Sequence, residues 1–462
     1  MRELFHGWTY FCDADGMTSR DAFIAVNRFG LGARPGELAA AANDPRGWVE
    51  RQLSGSPSAP TQLSGLRPSR DAIAELLEFQ RQDKNEKDAA GKKELRAKMR
   101  DAFVAESAAR TLAQIGSQAP VIERLVVFWS NHFTVSARKP LLVGTVGAFE
   151  REAIRPHVTG QFAQMLLAVL RHPAMLAYLD NVQSIGPNSK AGKRRERGLN
   201  ENLAREVLEL HTLGVNGGYT QTDVREFAKM LTGWSIGGPK SGDFGRFHFL
   251  GRAHEPGPKT LLGRRYEEAG VKEAEAALAA LARHPATAKH IAFKLARHFV
   301  ADQPPPALVQ ALAKTFLDTD GDLRALTVAI LHARETWSEP LAKVKTPNEF
   351  VVSALRTTGF EGEPKKLVAS LRLLGQMPFS APSPAGWPDE GPKWISAEAL
   401  LQRAEFAMAV ARRMGDARAA DTLFAESIGP VASSATKAAV QRAPSRTEAL
   451  ATLFACPEFQ RR

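Results

Sequence analysis

A chain of 462 residues, 44% hydrophobic and 24% charged, is long enough for a large core and has the composition of an ordinary globular protein. Its 61 Lys and Arg outnumber its 50 Asp and Glu, giving a net charge of +11 that favours anionic partners; the excess is dispersed, with its densest cluster in the loop KAGKRRERG, 190–198. No apolar run approaches the ~20 residues of a membrane span. The two cysteines, Cys12 and Cys456, lie near opposite ends and speak against a disulfide framework or a cysteine-ligated metal.

Taken in chain order, MRELFHGWTYFCDADG (1–16) has no period and no basic-then-apolar signal pattern. It reads as a poorly structured extension, with Met17 as the natural start. The absence of a signal pattern predicts a cytoplasmic protein, with export alongside a partner left open. From 17 to 462 the pattern is that of one large helical domain, with a sub-boundary near 340–346. Ser19 is placed to cap the first helix and Pro45 to begin the third. Residues 54–69 read as a loop, and 70–116 as a long charged helix broken near Gly91. PVIERLVVFWSNHFTVS and the stretch after it carry apolar residues at helical spacing and are core helices. NVQSIGPNSKAGKRRERG is a polar loop of a length that is usually functional or disordered. Near 245–266, alternating Phe247 and Phe249 followed by Gly and Pro predict a small β-hairpin insertion. Helices then resume to the C-terminus, interrupted by MPFSAPSPAGWPDEGPKWIS. The fold class is therefore mainly α, a large multi-helix array with one small β insertion. RHPA recurs at Arg171 and Arg283, but the flanks do not align as a duplication.

The most informative stretch is NENLAREVLELHTLGVNGGYTQTDVREFAKMLTGW, 200–234. In its first helix Asn202, Arg205, Glu206 and Glu209 share one side, and Leu203, Val207 and Leu210 the other. Gly214 sits where a left-handed residue should end that helix. Thr220 and Asp223 form a capping box for the next, whose core stripe is Val224, Phe227, Ala228 and Leu231. The polar stripe reads either as solvated surface, with Arg205 and Glu209 paired at four residues' spacing, or as the wall of a site. Two carboxylates beside an arginine are the raw material of acid–base chemistry. In FWSNHF, Trp129, Asn131 and His132 interrupt an apolar helix. In HEPGPK, His254, Glu255 and Lys259 surround a turn.

These groups define the expected site. Glu206, Glu209, His132 and His254 are the candidate acids and bases. Asn131, Asn202, Arg205, Lys259 and Trp129 are the candidate substrate contacts. A divalent metal drawn from His132, Glu206, Glu209, His211 and His254 has no HExxH or His-x-His spacing behind it, and His211 points about 160° away from Glu209 on an ideal helix at ~100° per residue. No metal or other cofactor is expected. VNGGYTQTDVRE fails as a calcium loop, since Thr220 stands where glycine is needed, and DTDGDL reads as a turn with a helix cap. No serine-hydrolase elbow, P-loop or dinucleotide-binding glycine motif is present. No zinc finger, RNA-binding aromatic motif or basic arm supports nucleic acid.

RFGLGARPGE, FWSNHFTVS, LDNVQSIGPNS, the 200–234 stretch, HEPGPKTLLG, HPATAKHIAFKLARHFV and SPAGWPDEG together resemble the bacterial family known as domain of unknown function 1800, from about Asp21 to Phe459. The resemblance implies a large, mainly helical bacterial protein. It also implies a frequent genomic neighbour that carries a twin-arginine signal and is similar to alkaline-phosphatase-type hydrolases. It brings no reaction and no catalytic residues. The functional expectation is an enzyme performing hydrolytic or lyase chemistry on a polar or anionic substrate such as a glycan. The alternative is a non-catalytic binding or chaperone-like partner of the exported neighbour. A third reading, binding of an anionic surface through 190–197, predicts affinity that falls steeply with salt.

Overall fold

Helical periodicity and punctuation by proline and glycine produce 22 α-helices and four short strands in the described residues. The structure is a computed structural model and describes residues 14–462 apart from 56–59, 87–88, 195–197, 360–362 and 415–417. Proline supplies N1 of six of the helices that matter most, among them Pro120–His132, Pro285–Phe299 and Pro347–Thr358. There its missing N–H is no loss and its fixed φ is already helical. The recurring RHPA is a local device of this kind. The Nδ1 of His172 accepts from the Ala174 N–H at 3.1 Å, and that of His284 from the Ala286 N–H at 3.2 Å, each histidine capping a helix that begins with proline.

Local expectations for 200–234 hold. Gly214 has φ +83°, Thr220 and Asp223 close their capping box, and Val224, Phe227, Ala228 and Leu231 are buried. Asp322 caps the helix Leu323–His332 by accepting from the Ala325 N–H at 2.8 Å, as the turn reading of DTDGDL predicts. Three details differ. The first helix runs Ala14–Ile24, so Ser19 lies inside it and does not cap it. The break in the charged region falls between the helices Ser69–Glu86 and Ala89–Gly116, and Gly91 sits within the second, because one glycine costs a helix only about 1 kcal/mol against alanine. Of the expected extension, residues 1–13 lie outside the described residues.

The β insertion is divided in two. Strand β1 (Trp234–Ile236) pairs antiparallel with β2 (Phe247–Phe249), and β3 (Lys259–Leu261) with β4 (Arg264–Tyr266). The second pair is a tight hairpin. Its two loop residues, Leu262 and Gly263, have φ +51° and +73°, the pattern of a type I′ turn. The Leu262 N–H donates to Asp223 Oδ1 at 2.7 Å, which fixes the hairpin to the helix Gln221–Leu231.

Two large hydrophobic cores form beside a small cluster of Leu63, Ala109 and Ala113. The larger draws on residues from Ile24 to Trp337, the smaller on 22–41 together with Phe350–Phe459. The first helix and the π-helical turn after it (Ala25–Phe29) serve both. Ile24, Ala25 and Phe29 enter the larger core; Ala22, Phe23 and Val26 enter the smaller. Among the described residues no helix is long and apolar enough to cross a membrane.

Candidate active site

The expected site residues occupy three separate places. In the first, the helix Asn202–Glu206 continues as a π-helical turn, Val207–His211. Turns of this kind are frequent at functional sites. The turn keeps Glu209 on the outer side and places His211 in the interior, fully buried. Arg205 donates to Glu201 at 3.1 Å and to Gln221 at 2.8 Å and lies 3.6 Å from Glu209. Asn202 is exposed, its N–H taken by Asn200 Oδ1 at 2.9 Å. Burial raises the Glu206 carboxyl, Glu209 adds to the effect and Arg205 opposes it. The Tyr219 hydroxyl is pushed up to about 12 by burial and by its hydrogen bond to Glu209. Among the described residues no hydrogen bond or ion pair joins the side chains of Asn202, Arg205, Glu206 and Glu209 to His132 or His254, though the His211 carbonyl of the same turn meets His132 Nε2.

In the second place, His254 and Lys259 are buried around Glu273. His254 Nε2 is 2.6 Å from Glu273 Oε1, and its Nδ1 is 2.9 Å from the Thr232 carbonyl. Lys259 Nζ donates to Glu273 at 2.8 Å and to the Glu255 carbonyl at 2.5 Å. Glu255 in turn accepts from Asn188 and so ties down the long polar loop. The loop comes close here: a Cβ on Gly186 would stand 2.6 Å from the Glu255 backbone, which requires glycine.

In the third, Asn131 and His132 line a cavity of about 290 Å³. Trp129 is not in its wall. It is buried in the larger core, edge-on to Phe128 at 4.9 Å and to His132 at 5.3 Å. The cavity lies between the helices Pro120–His132 and Pro285–Phe299, the start of Pro347–Thr358, and the loop 376–390. From Pro285–Phe299 it receives Lys294 and His298, four residues apart and so on one face.

His298 Nδ1 is 3.0 Å from Asp389 Oδ2. Burial alone would raise the Asp389 carboxyl, but His298, Lys343 and Arg462 bring it down to about 2. A carboxylate accepts only, so Nδ1 carries the proton and Nε2 is left with its lone pair; the tautomer is assigned from this partner. Among the described residues His298 Nε2 has no hydrogen-bond partner. Burial lowers the His298 imidazole, and Asp389 pulls the other way. Glu349 lies beside this pair and is held by Arg124 and, at 2.9 Å, by Arg462.

The loop that carries Asp389 is clamped by a residue the sequence singled out. Asn131 Oδ1 accepts from the Trp387 N–H at 2.7 Å, and Asn131 Nδ2 donates to the Trp387 carbonyl at 3.0 Å. Gly386, φ +84°, makes the approach possible: a Cβ there would lie 2.5 Å from the Asn131 carbonyl oxygen. Lys343 reaches the same loop, 3.5 Å from Asp389 Oδ1.

Behind the wall lies a nest of histidines. The His132 ring centroid is 6.1 Å from that of His211 and 6.2 Å from that of His290. Burial, then Lys294, depresses all three, His211 to about 3 and His290 to about 4. His132 Nε2 contacts the His211 carbonyl at 3.2 Å, and His290 Nε2 the Leu210 carbonyl at 3.1 Å. The rings are thus neutral; those of His132 and His290 meet backbone carbonyls, while neither nitrogen of His211 has a hydrogen-bond partner among the described residues. Among the described residues no three His, Cys, Asp or Glu side chains come together as a metal-ion ligand set.

The model of the family described as a protein of unknown function, DUF1800, matches residues 24–461. The chain belongs to this family. No curated protein and no solved structure matches it. Both HPATAKHIAFKLARHFV and SPAGWPDEG, among the stretches that carry the family resemblance, deliver residues to the cavity: Lys294 and His298 from one, Trp387 and Asp389 from the other. Sequence reasoning passed over all of these but one signal was available, the spacing of His290, Lys294 and His298 at successive fours on one helix.

Proposed function

We propose that the chain is an enzyme of hydrolytic or lyase type whose active site is the cavity beside His298, acting on a small polar molecule or a single terminal unit of a glycan. The observation that carries the reading is the His298–Asp389 pair: an imidazole oriented by an ionised carboxylate, on a residue that lines a cavity, with its second nitrogen buried and unpartnered among the described residues. This is the arrangement of a general base. Asp389 fixes the tautomer, and Nε2 takes a proton from water or from a carbon acid as the new bond forms or the old one breaks. At about 290 Å³ the cavity sits at the low end of ligand pockets, ~300–1,000 Å³, which favours a small reactant over a polymer. The test is turnover in a screen of small ester, amide, glycoside and hydroxy-acid substrates. Asp389→Asn, with the fold checked by its melting curve, should lower kcat by ~10²–10⁴-fold, the contribution of a positioned general base. A kcat within threefold of wild type would remove His298 as the base.

A binding role is the second reading, and a different observation favours it. The helices Pro364–Leu373 and Ala397–Met414 leave Leu373 73% and Leu401 62% exposed. These would meet a partner protein, the exported neighbour implied by the family resemblance being one candidate. Leu373→Lys with Leu401→Lys should abolish co-purification of a stoichiometric partner and leave turnover alone.

A further inference from the structure

We infer that Lys294 is the receptor for a small anionic group, a carboxylate or a phosphate, on the molecule that fills the cavity. This deepens the functional proposal above and rests on its placement of the active site. The argument is a census of charge. Arg110 lines the cavity and is paired with Glu150 at 2.7 Å; Arg297 is paired with Glu390 at 3.2 Å. Glu349 is covered by Arg124 and Arg462, and Asp389 by His298 and Lys343. Lys294 has no hydrogen bond and no ion pair among the described residues.

Withdrawing an ammonium from water without a partner is costly, and proteins keep such a group where function uses it. The nearby histidines cannot balance it, because an imidazole is neutral or cationic and never anionic; Lys294 itself helps to hold them neutral. Burial lowers the Lys294 ammonium to about 8, Asp389 opposing and Arg297 adding, so it remains mostly charged at neutral pH. An anion drawn into the cavity would supply the missing partner. Lys294 and His298 stand four residues apart, about 6 Å along the helix axis, so a reactant anchored at Lys294 lies beside His298.

The experiment is calorimetric titration of the full chain with acetate, malonate, inorganic phosphate and methylphosphonate, and with acetamide as the uncharged comparison. Wild type should bind at least one carboxylate or phosphonate probe at one site per chain, and acetamide at least tenfold more weakly. The carboxylate and phosphate arms tell which anion the site takes. Lys294→Met should weaken that binding tenfold or more, and Lys294→Arg should restore part of it. Removing a half-buried, unpaired cation should leave the melting temperature unchanged or raised; Lys294→Gln serves as a second variant if Met does not fold. Binding should also weaken as pH rises through about 8. The groups facing Lys294 that titrate or carry charge are His132, His211, His290, His298, Arg297 and Asp389, and the histidines have lost their protons well below that range. Equal affinity for acetate and acetamide, binding indifferent to both Lys294 variants, or no binding of any probe at millimolar concentration would each overturn the inference. His298→Asn separates the two proposals. In that variant anion binding should persist while turnover is lost; anion binding with turnover undiminished in the variant, or with the wild type turning over nothing in the screen, would leave the receptor standing and remove the acid–base reading.

Discussion

Two of the buried histidines that face a carboxylate, His254 and His298, do opposite work. His254 uses both nitrogens, one on Glu273 at 2.6 Å and one on the Thr232 carbonyl at 2.9 Å, and Lys259 neutralises the same glutamate. His298 uses one, on Asp389; its second nitrogen is buried and unpartnered among the described residues, and the residue lines a cavity. The first is a closed knot joining β3 to the helix Val271–Ala282; the second is an unfinished network. A histidine–carboxylate pair by itself therefore says nothing about chemistry. What matters is whether a nitrogen is left over and whether space lies beside it.

The largest effect should come from exchanging the two in function and stability. His298→Gln should lower kcat by ~10²–10⁴-fold with little change in the melting temperature. Glu273→Gln should do the reverse. It leaves Lys259 buried against a neutral partner, a change that costs about 3–5 kcal/mol in buried pairs, while kcat of the folded fraction stays near wild type. Measuring kcat and urea midpoints for both variants checks this. If Glu273→Gln abolished turnover in fully folded protein, the two pairs would belong to one site.

A second test concerns acid. His211 is held down to about 3 and His290 to about 4, against an ordinary value of 6.5. Between those values the unfolded chain binds protons that the folded one refuses. Their contribution to stability is therefore fully present above pH 6.5 and is lost as pH falls toward 4 and then 3, at up to about 1.4 kcal/mol per pH unit for each histidine. Urea midpoints across pH 4–7 should show this slope. His211→Met, which removes a fully buried imidazole with neither nitrogen partnered, should flatten it. An unchanged slope would mean that other groups take up the protons.

How much of this could be read from the sequence depended on distance along the chain. The capping box at Thr220 and Asp223, the left-handed Gly214 and the core stripe from Val224 to Leu231 are settled within a few residues, and each was legible. Asn131 and His132 were legible as polar interruptions of an apolar helix. Asp389 was not: it lies in a Pro- and Gly-rich loop that reads as a turn, and its partner His298 is 91 residues away. Glu349 meets Arg124 across 225 residues. The spacing of His290, Lys294 and His298 was there to be seen, but nothing local distinguishes a basic stripe facing a cavity from one facing water.

Asn131 offers a third, smaller test, because it acts through another residue. Its amide holds both backbone groups of Trp387, two residues before Asp389. Asn131→Ala should cost about 1–3 kcal/mol in stability, from two part-buried backbone groups left without partners. It should also lower kcat through a misplaced Asp389, shifting the acidic limb of the pH–rate profile, where a general base gains its proton, whereas Asn131→Asp should keep the contact to the Trp387 N–H and recover part of the rate. A stability loss with an unmoved pH profile would leave Asn131 a purely structural clamp.

The smallest effect should come from the stripe that first drew attention. Arg205 is 38% exposed at its side chain, and its ion pairs to Glu201 and Glu209 are of the helical four-residue kind. Arg205→Ala should change stability by only a few tenths of a kcal/mol, roughly, since such pairs are weak in water and further screened by salt. Glu206→Gln is the sharper probe, because burial and Glu209 raise that carboxyl and the π-helical turn beside it is a common mark of function. With His298 as the base, Glu206→Gln should leave kcat within about twofold, since no hydrogen bond or ion pair among the described residues connects it to the cavity. A tenfold or larger loss of kcat in a folded Glu206→Gln variant would transfer the chemistry to the π-helical turn, and the unpartnered nitrogen of His298 would then have to be explained by packing.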